Sequence, residues 1–203
     1  MIAVIVFAKA PLPGQVKTRL QPRLSPEQSA ALHAALIERT IVVASAAEIG
    51  PVELCCAPDS NHPLFARMRD QYCVELTHQD DGDLGARMAR ALERRIAVNQ
   101  AAILVGTDCP VMTAGYLRSA ADALDAYRVV LGPAEDGGYV LVAARQVVAA
   151  MFTTMQWGTD SVLAVTRARL AAAGIAHHEL ATLWDLDRPA DYERYCALGG
   201  ARA

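Results

Sequence analysis

The chain has 203 residues, 53% of them hydrophobic and 20% charged, with a net charge of −3. That length is enough for one domain with a full core, and the charge balance leaves no domain-wide basic field to hold a phosphate backbone. A general nucleic-acid binder is thereby excluded, and any anion site must be local.

Residues 3 to 8, AVIVFA, predict a fully buried strand. The apolar start is too short to span a bilayer and lacks the basic beginning of a signal peptide, so no membrane span is expected. Ser25-Pro26-Glu27-Gln28 predicts a helix start with a capping box, the helix running to about Ala47. VELCCA at 52–57 is the second strand, a short helix follows near 63–70, and CVELTH at 73–78 is the third strand. A helix is predicted over 84–99, a strand over 101–106, and a helix from a Thr113 cap to about Ala126. Strands at 128–133 and 138–144 precede a helix over 159–174, a short strand at 175–180 and a last helix from Pro189 to Leu198. Apolar, non-alternating strands between helices predict a three-layer α/β domain spanning 1–203, with a mainly parallel sheet.

The five cysteines are odd in number, with Cys55 and Cys56 adjacent and no C-x-x-C spacing. They read as small buried hydrophobes in a reducing cytoplasm, not as a disulfide or zinc framework. His177 and His178 share a strand and so point to opposite faces, which is poor geometry for joint metal binding.

In such sheets ligands bind outside the carboxyl ends of the strands, and the unusual residues fall there. After the first strand comes FAKAPLPGQVKTRL, residues 7 to 20, where Lys9, Lys17 and Arg19 crowd beside Pro11, Pro13 and Gly14. It is neither a Walker A motif nor a G-x-G-x-x-G fingerprint. Lys17-Thr18-Arg19 nevertheless offers a point charge, a hydroxyl and a bidentate fork, groups that suit a polyphosphate on a stiffened loop. Gly82-Asp83-Leu84-Gly85 follows the third strand, and Gly106-Thr107-Asp108-Cys109-Pro110 the fourth. An aspartate just past a buried strand needs a cation or hydrogen bonds, and a hard divalent ion would satisfy Asp108. An Asx turn or a helix cap is the alternative. The second carboxylate of such a site is Asp187 or Asp185, although Asp187-Arg188-Pro189 also reads as a helix start. Asp136-Gly137-Gly138-Tyr139 reads either as a hairpin turn or as backbone that lets a substrate approach, with Asp136 receiving a sugar hydroxyl or acting as base. Trp157-Gly158-Thr159-Asp160 reads either as a stacking wall with a helix N-terminus or as a core aromatic with a cap.

Taken in order, these five motifs resemble the DUF2064 family, glycosyltransferase-like proteins of the nucleotide-diphospho-sugar transferase superfamily. The resemblance implies a Rossmann-like GT-A fold. The opening Lys9, Lys17, Thr18, Arg19, Leu20 pattern is also similar to the phosphate loop of 2-phospholactate guanylyltransferases, and more loosely to that of molybdenum-cofactor guanylyltransferases. It implies nucleotide binding by Lys9, Pro11, Gly14, Lys17, Thr18, Arg19, Gly82, Leu84 and Gly85. Asp108 matches the superfamily's first metal aspartate and Asp187 its second, with Mg²⁺ or Mn²⁺ as the implied ion. The run Asp187-Arg188-Pro189-Ala190-Asp191-Tyr192 departs from the usual Asp-Thr-Pro-Glu-Asp-Leu and sets a cation beside the proposed metal. Acceptor contacts fall to Asp136, Gly137, Gly138, Tyr139, Trp157 and Asp160.

The expected partners are a nucleotide or nucleotide-sugar and a small-molecule acceptor. Two reactions fit: glycosyl transfer from an NDP-sugar, which is favoured, and nucleotidyl transfer from an NTP with release of pyrophosphate. In either, Lys17 and Arg19 stabilise the leaving phosphate, and Asp136, the third catalytic candidate, receives a sugar hydroxyl or acts as base. A nucleotide-binding protein that has lost catalysis is a third reading.

Overall fold

The computed structural model describes residues 1–21 and 23–199. Its first strand, β1 (Ile2–Lys9), is buried from Ala3 to Ala8, as a strand covered on both faces must be. Ser25 caps α1 (Pro26–Ala47): its hydroxyl accepts from the Gln28 amide, and the Gln28 side chain accepts from the Ser25 amide. Then come β2 (Val52–Ala57), α2 (Pro63–Tyr72), β3 (Glu75–His78), α3 (Leu84–Ile96), β4 (Ala101–Val105) and α4 (Ala114–Ala123). The chain finishes with β5 (Val129–Pro133), β6 (Tyr139–Ala144), α5 (Val162–Ala172), β7 (His177–Glu179) and α6 (Pro189–Ala197).

The strands form one sheet in the order β3-β2-β1-β4-β6-β5-β7. β6 is antiparallel to β4 and β5, and every other pairing is parallel. The sheet is therefore mainly parallel, and the ends of β1, β3, β4, β5 and β7 share one edge. On one face α1, α2 and α4 bury Ile37, Ile41, Phe65, Met68 and Leu117. On the other, α3 and α5 bury Met88, Leu92, Leu163 and Leu170. This is the three-layer GT-A architecture. Helix α1 is long and apolar enough to cross a bilayer by length and composition, yet it buries Leu32, Leu36, Ile37 and Ile41 within the fold.

Several boundaries differ from expectation, α3 and α4 ending about three residues early and β7 covering only His177–Glu179, and two of the differences have a local cause. β3 starts at Glu75 because Cys73 turns left-handed, with φ 54°, and breaks the run. α5 starts at Val162, not Thr159, because Gly158 turns left-handed at φ 80° and the Thr159 hydroxyl donates to the Gln156 carbonyl.

A third, smaller core positions the site. Leu20, Leu24, Leu32, Leu36, Trp184 and Leu186 pack together, so the loop after β1 and the segment after β7 share a floor. That segment runs back along β5: Leu180 donates to the Leu131 carbonyl, Leu183 to Pro133, and Glu135 to Leu183. It then reaches the loop after β4, where the Leu186 amide donates to the Asp108 carbonyl at 2.8 Å.

Candidate functional site

The loop after β1 is held in shape by its own geometry. Gly14 and Lys17 are both left-handed, with φ of 76° and 50°, and Thr18–Leu20 forms a 3₁₀ turn that drives Leu20 into the third core. The left-handed region costs a non-glycine residue about 1 kcal/mol or more, so Lys17 needs compensation. Its side chain, 3% exposed, provides it: the ammonium sits 2.6 Å from Asp108 Oδ1 and donates to the Leu186 carbonyl. Arg19 instead points outward, 64% exposed, and pairs with Asp187 at 2.6 Å. Lys9 folds back over the loop and donates to the Gln15 carbonyl at 2.9 Å.

Both proposed metal aspartates are thus paired with the two cations of the opening loop. Burial works against ionisation of Asp108, but the Lys17 ammonium outweighs it with help from His33, so the carboxyl stays below the usual range. His33 lies beneath, on α1. Its Nε2 is 3.1 Å from the Lys9 carbonyl, and its Nδ1 faces Asp108 Oδ1 at 3.9 Å with no hydrogen-bond partner. Burial, more than any neighbour, pushes its pKa down, which keeps the imidazole neutral near pH 7. Asp185 stands among Asp108, Asp136 and Asp187. Burial first, and those three charges next, push its pKa up to about 7. Asp191 accepts from the amides of residues 187 and 188, capping α6 and fixing the turn that presents Asp187.

Opposite lies the β5–β6 hairpin. Asp136 Oδ1 accepts from the Gly138 amide at 2.9 Å, an Asx turn. Gly137 has φ 87°, and a Cβ there would come within 2.1 Å of the Asp160 carbonyl oxygen, so only glycine lets the hairpin close on the segment before α5. Gly85 has a comparable role: its bare Cα seats Trp157, and a Cβ would lie 2.7 Å from the indole and 2.5 Å from the Phe152 carbonyl. Trp157 in turn meets Tyr139 edge to face, with ring centroids 6.3 Å apart.

Between these walls lies a cleft of two adjoining cavities, about 460 and 300 Å³, that share Asp136, Gly158, Thr159, Asp185 and Asp187. The larger adds Arg19, Glu135, Asp160, Trp184, Arg188 and Asp191, and the smaller adds Leu84, Met88, Asp108, Gly138, Tyr139, Trp157 and Val162. Lys9, Gly14, Lys17, Thr18, Gly82, Gly85 and Gly137 line neither, Lys17 lying buried behind Asp108, and Pro11 lines a separate groove with His62 and Leu64. Residues given no role from sequence are His33, which lies outside every motif, and Glu135 and the Leu186 carbonyl, which lie within the loops after β5 and β7. Among the described residues, no group of three or more His, Cys, Asp or Glu side chains is arranged to hold a metal ion. Asp108, Asp185 and Asp187 are the carboxylates of the cleft that could contribute oxygens to an ion.

The fold is shared with nucleotide enzymes. A protein of Desulfovibrio desulfuricans G20 assigned as a nucleotide-diphospho-sugar transferase superposes with TM-score 0.84 at 23% identity, covering 97% of this chain and 96% of that one. A nucleotidyl transferase from Methanothermobacter thermautotroptrophicus gives 0.63 at 14%, covering 96% and 95%. Glucosyl-3-phosphoglycerate synthase from Mycobacterium tuberculosis, solved with Mn²⁺, UDP and glucosyl-3-phosphoglycerate, gives 0.56 at 12%, covering 98% and 76%. At these identities the likeness is one of fold. No curated protein matches the chain. The family model described as "Uncharacterized protein conserved in bacteria (DUF2064)" matches residues 40–159, so the chain belongs to the DUF2064 family.

Proposed function

We propose that the protein is a metal-dependent glycosyltransferase that moves a sugar from an NDP-sugar to a hydroxyl of a small-molecule acceptor in the cytoplasm. The observation that carries this reading is the asymmetry of the cleft. Lys17 and Arg19 meet Asp108 and Asp187 on one side, and Asp136 and Asp160 stand on the other, beside Glu135, which is held by Arg194. Carboxylates bind sugar and polyol hydroxyls well, whereas an acceptor phosphate would need cations there.

In this reading Lys9, Lys17, Thr18 and Arg19 hold the donor diphosphate, and Leu84 borders the nucleotide. Gly85 serves by seating Trp157, and Pro11, Gly14 and Gly82 shape the loops. Asp108 and Asp187 hold Mg²⁺ or Mn²⁺. The residues fit such an ion, since their oxygens are hard donors and the Lys17 ammonium already stands as a cation against Asp108. When bound, the ion neutralises charge on the departing phosphate. Asp136 takes the proton of the acceptor hydroxyl as its oxygen attacks the anomeric carbon. The bond from that carbon to the phosphate oxygen breaks, and NDP leaves with Lys17 and Arg19 as counter-charges. Tyr139, Trp157 and Asp160, on the hairpin framework of Gly137 and Gly138, bound the acceptor.

The second reading, nucleotidyl transfer, draws on the three cations of one loop, because a triphosphate needs more counter-charge than a diphosphate. A panel of NDP-sugars and NTPs with Mg²⁺ or Mn²⁺, assayed for NDP and for pyrophosphate, separates the two. NDP release with an acceptor polyol is expected. Pyrophosphate release with a phosphorylated acceptor would replace the first reading by the second, and binding without turnover would leave a nucleotide-binding protein.

A further inference from the structure

We propose that Lys17 and Arg19 are resident counter-cations of the site, so that a divalent ion enters only together with a polyphosphate that draws them off the two aspartates. The inference rests on the metal–nucleotide reading above and concerns how the two ligands depend on each other.

The position against Asp108 is built for one cation. Asp108 Oδ1 and the Leu186 carbonyl oxygen border it, and His33 Nδ1, without a hydrogen-bond partner, lies 3.9 Å from that carboxylate oxygen. The Lys17 ammonium occupies it, on a side chain 3% exposed. At Asp187 the Arg19 guanidinium does the same from the solvent side, at 2.6 Å. A divalent ion approaching alone meets two positive charges where it needs open carboxylates. It also finds too few ligands, since no three-residue ligand set exists among the described residues. Mg²⁺ and Mn²⁺ complete their shells with water and phosphate oxygens.

A polyphosphate changes both terms. It supplies the missing oxygens, and it gives the ammonium and guanidinium a new anion, as each cation is released from its aspartate. Gly14 and Lys17, both left-handed, bracket the loop's turn, so a change at either φ re-aims the Lys17 and Arg19 side chains. Linkage makes the coupling reciprocal: whatever factor the polyphosphate adds to metal affinity, the metal adds to polyphosphate affinity.

The test uses equilibrium dialysis of the full chain against ⁵⁴Mn²⁺ alone, and against ⁵⁴Mn²⁺ with inorganic pyrophosphate, which removes any base or sugar preference. Wild type is expected to hold Mn²⁺ at least about tenfold more tightly when pyrophosphate is present, within the range of ordinary coupling. Arg19→Gln, at an exposed position that leaves folding intact, is expected to bind Mn²⁺ alone more tightly than wild type and to show a smaller pyrophosphate factor. Lys17→Gln is expected to do the same more strongly. Equal Mn²⁺ affinity with and without pyrophosphate would overturn the inference while leaving the metal site standing. So would an Arg19→Gln protein whose metal-only affinity matches wild type. Retention of neither ligand by any of the three proteins would overturn both the inference and the metal–nucleotide reading beneath it.

Discussion

Leu20 tests whether the third core holds the opening loop in place. Its side chain is fully buried among Leu24, Leu32, Leu36, Trp184 and Leu186. Leu20→Ala removes three carbons, each worth about 0.8 kcal/mol when buried, so lost transfer energy alone is about 2.4 kcal/mol. The cavity adds to this to the extent that its walls cannot close. Here those walls are α1 on one side and, on the other, a segment tied by backbone hydrogen bonds to β5 and Asp108, so relaxation is small. The expected loss is about 3.5 kcal/mol, inside the usual span of about 2–5 for such substitutions. In a chain of this size that lowers the thermal midpoint by roughly 7–14 °C. Urea unfolding followed by far-UV circular dichroism measures it, with the slope unchanged if only the native state is affected. Leu198→Ala, at a side chain 65% exposed, is the control and is expected within about 0.5 kcal/mol of wild type. A Leu20→Ala loss below about 1 kcal/mol would refute the claim that this cluster is a core, since even uncompensated transfer exceeds it.

Gly137→Ala and Gly158→Ala form a matched pair, both left-handed, but only the first would drive its Cβ into backbone, 2.1 Å from the Asp160 carbonyl oxygen. Each is expected to lose about 1 kcal/mol to backbone strain, and Gly137→Ala at least about 1 kcal/mol more, measured by urea midpoints. Glu53, 1% exposed, accepts from Arg95, Arg94 and the Thr77 hydroxyl. Glu53→Ala leaves the largely buried Arg95 with only the exposed Glu75, and the expected cost is about 3 kcal/mol, at the low end for a broken buried pair. Burial pushes the thiols of Cys55 and Cys109 up to about 11 and that of Cys56 up to about 12, while Cys73 is exposed. Ellman's reagent at pH 8 should therefore label Cys73 quickly and these three only on denaturation. Because their folded pKa values lie above the ordinary value of 9.0, their contribution to stability is complete below that pH and is lost as pH rises toward 11–12. The urea midpoint should accordingly fall between pH 8 and pH 10.5, and a rise would contradict the assignment.

Local signals were legible and long-range pairings were not. The capping box at Ser25 and Gln28 and the cap at Thr113 are readable because each is closed within four residues. The buried strands are readable because a sheet covered on both faces leaves no polar alternation. Asp136-Gly137-Gly138 forms the hairpin turn, with Gly137 fitted against the Asp160 carbonyl while Asp136 and Gly138 line the cleft. The loops after β1, β3, β4, β5 and β7, the last carrying Trp184-Asp185-Leu186-Asp187, fall at one edge as expected, because strand direction follows from alternation of elements. What residue type could not convey is that Lys17 turns inward to Asp108 while Arg19, two positions on, turns outward to Asp187. That split is set by the 3₁₀ turn between them. His33 is invisible for a related reason: within α1 it is one more inward-facing position, and only the tertiary fold sets its ring beneath Asp108.

The reversal of β6 has a consequence for chemistry. A parallel strand between β4 and β5 would place the start of a crossover helix beside Asp108. An antiparallel one places a hairpin turn there instead, and the hairpin carries Asp136 and Tyr139 toward the end of β4. The segment after β7 must then cross that hairpin to reach Asp108, which it does through the Leu183–Glu135 and Leu186–Asp108 backbone bonds. Asp185 and Asp187 are thereby carried back to the centre of the sheet edge, where Asp187 meets Arg19 of the loop after β1. The cleft therefore draws on separate parts of the chain: Lys17 and Arg19 from the loop after β1, Asp108 from the loop after β4, Glu135 and Asp136 from the hairpin, Asp160 from the segment before α5, and Asp185, Asp187 and Arg188 from the segment after β7. Substitutions in the hairpin can reshape the cleft without moving the Lys17–Asp108 pair, whereas the Leu186 backbone holds both members of that pair, its amide donating to the Asp108 carbonyl and its carbonyl accepting from Lys17.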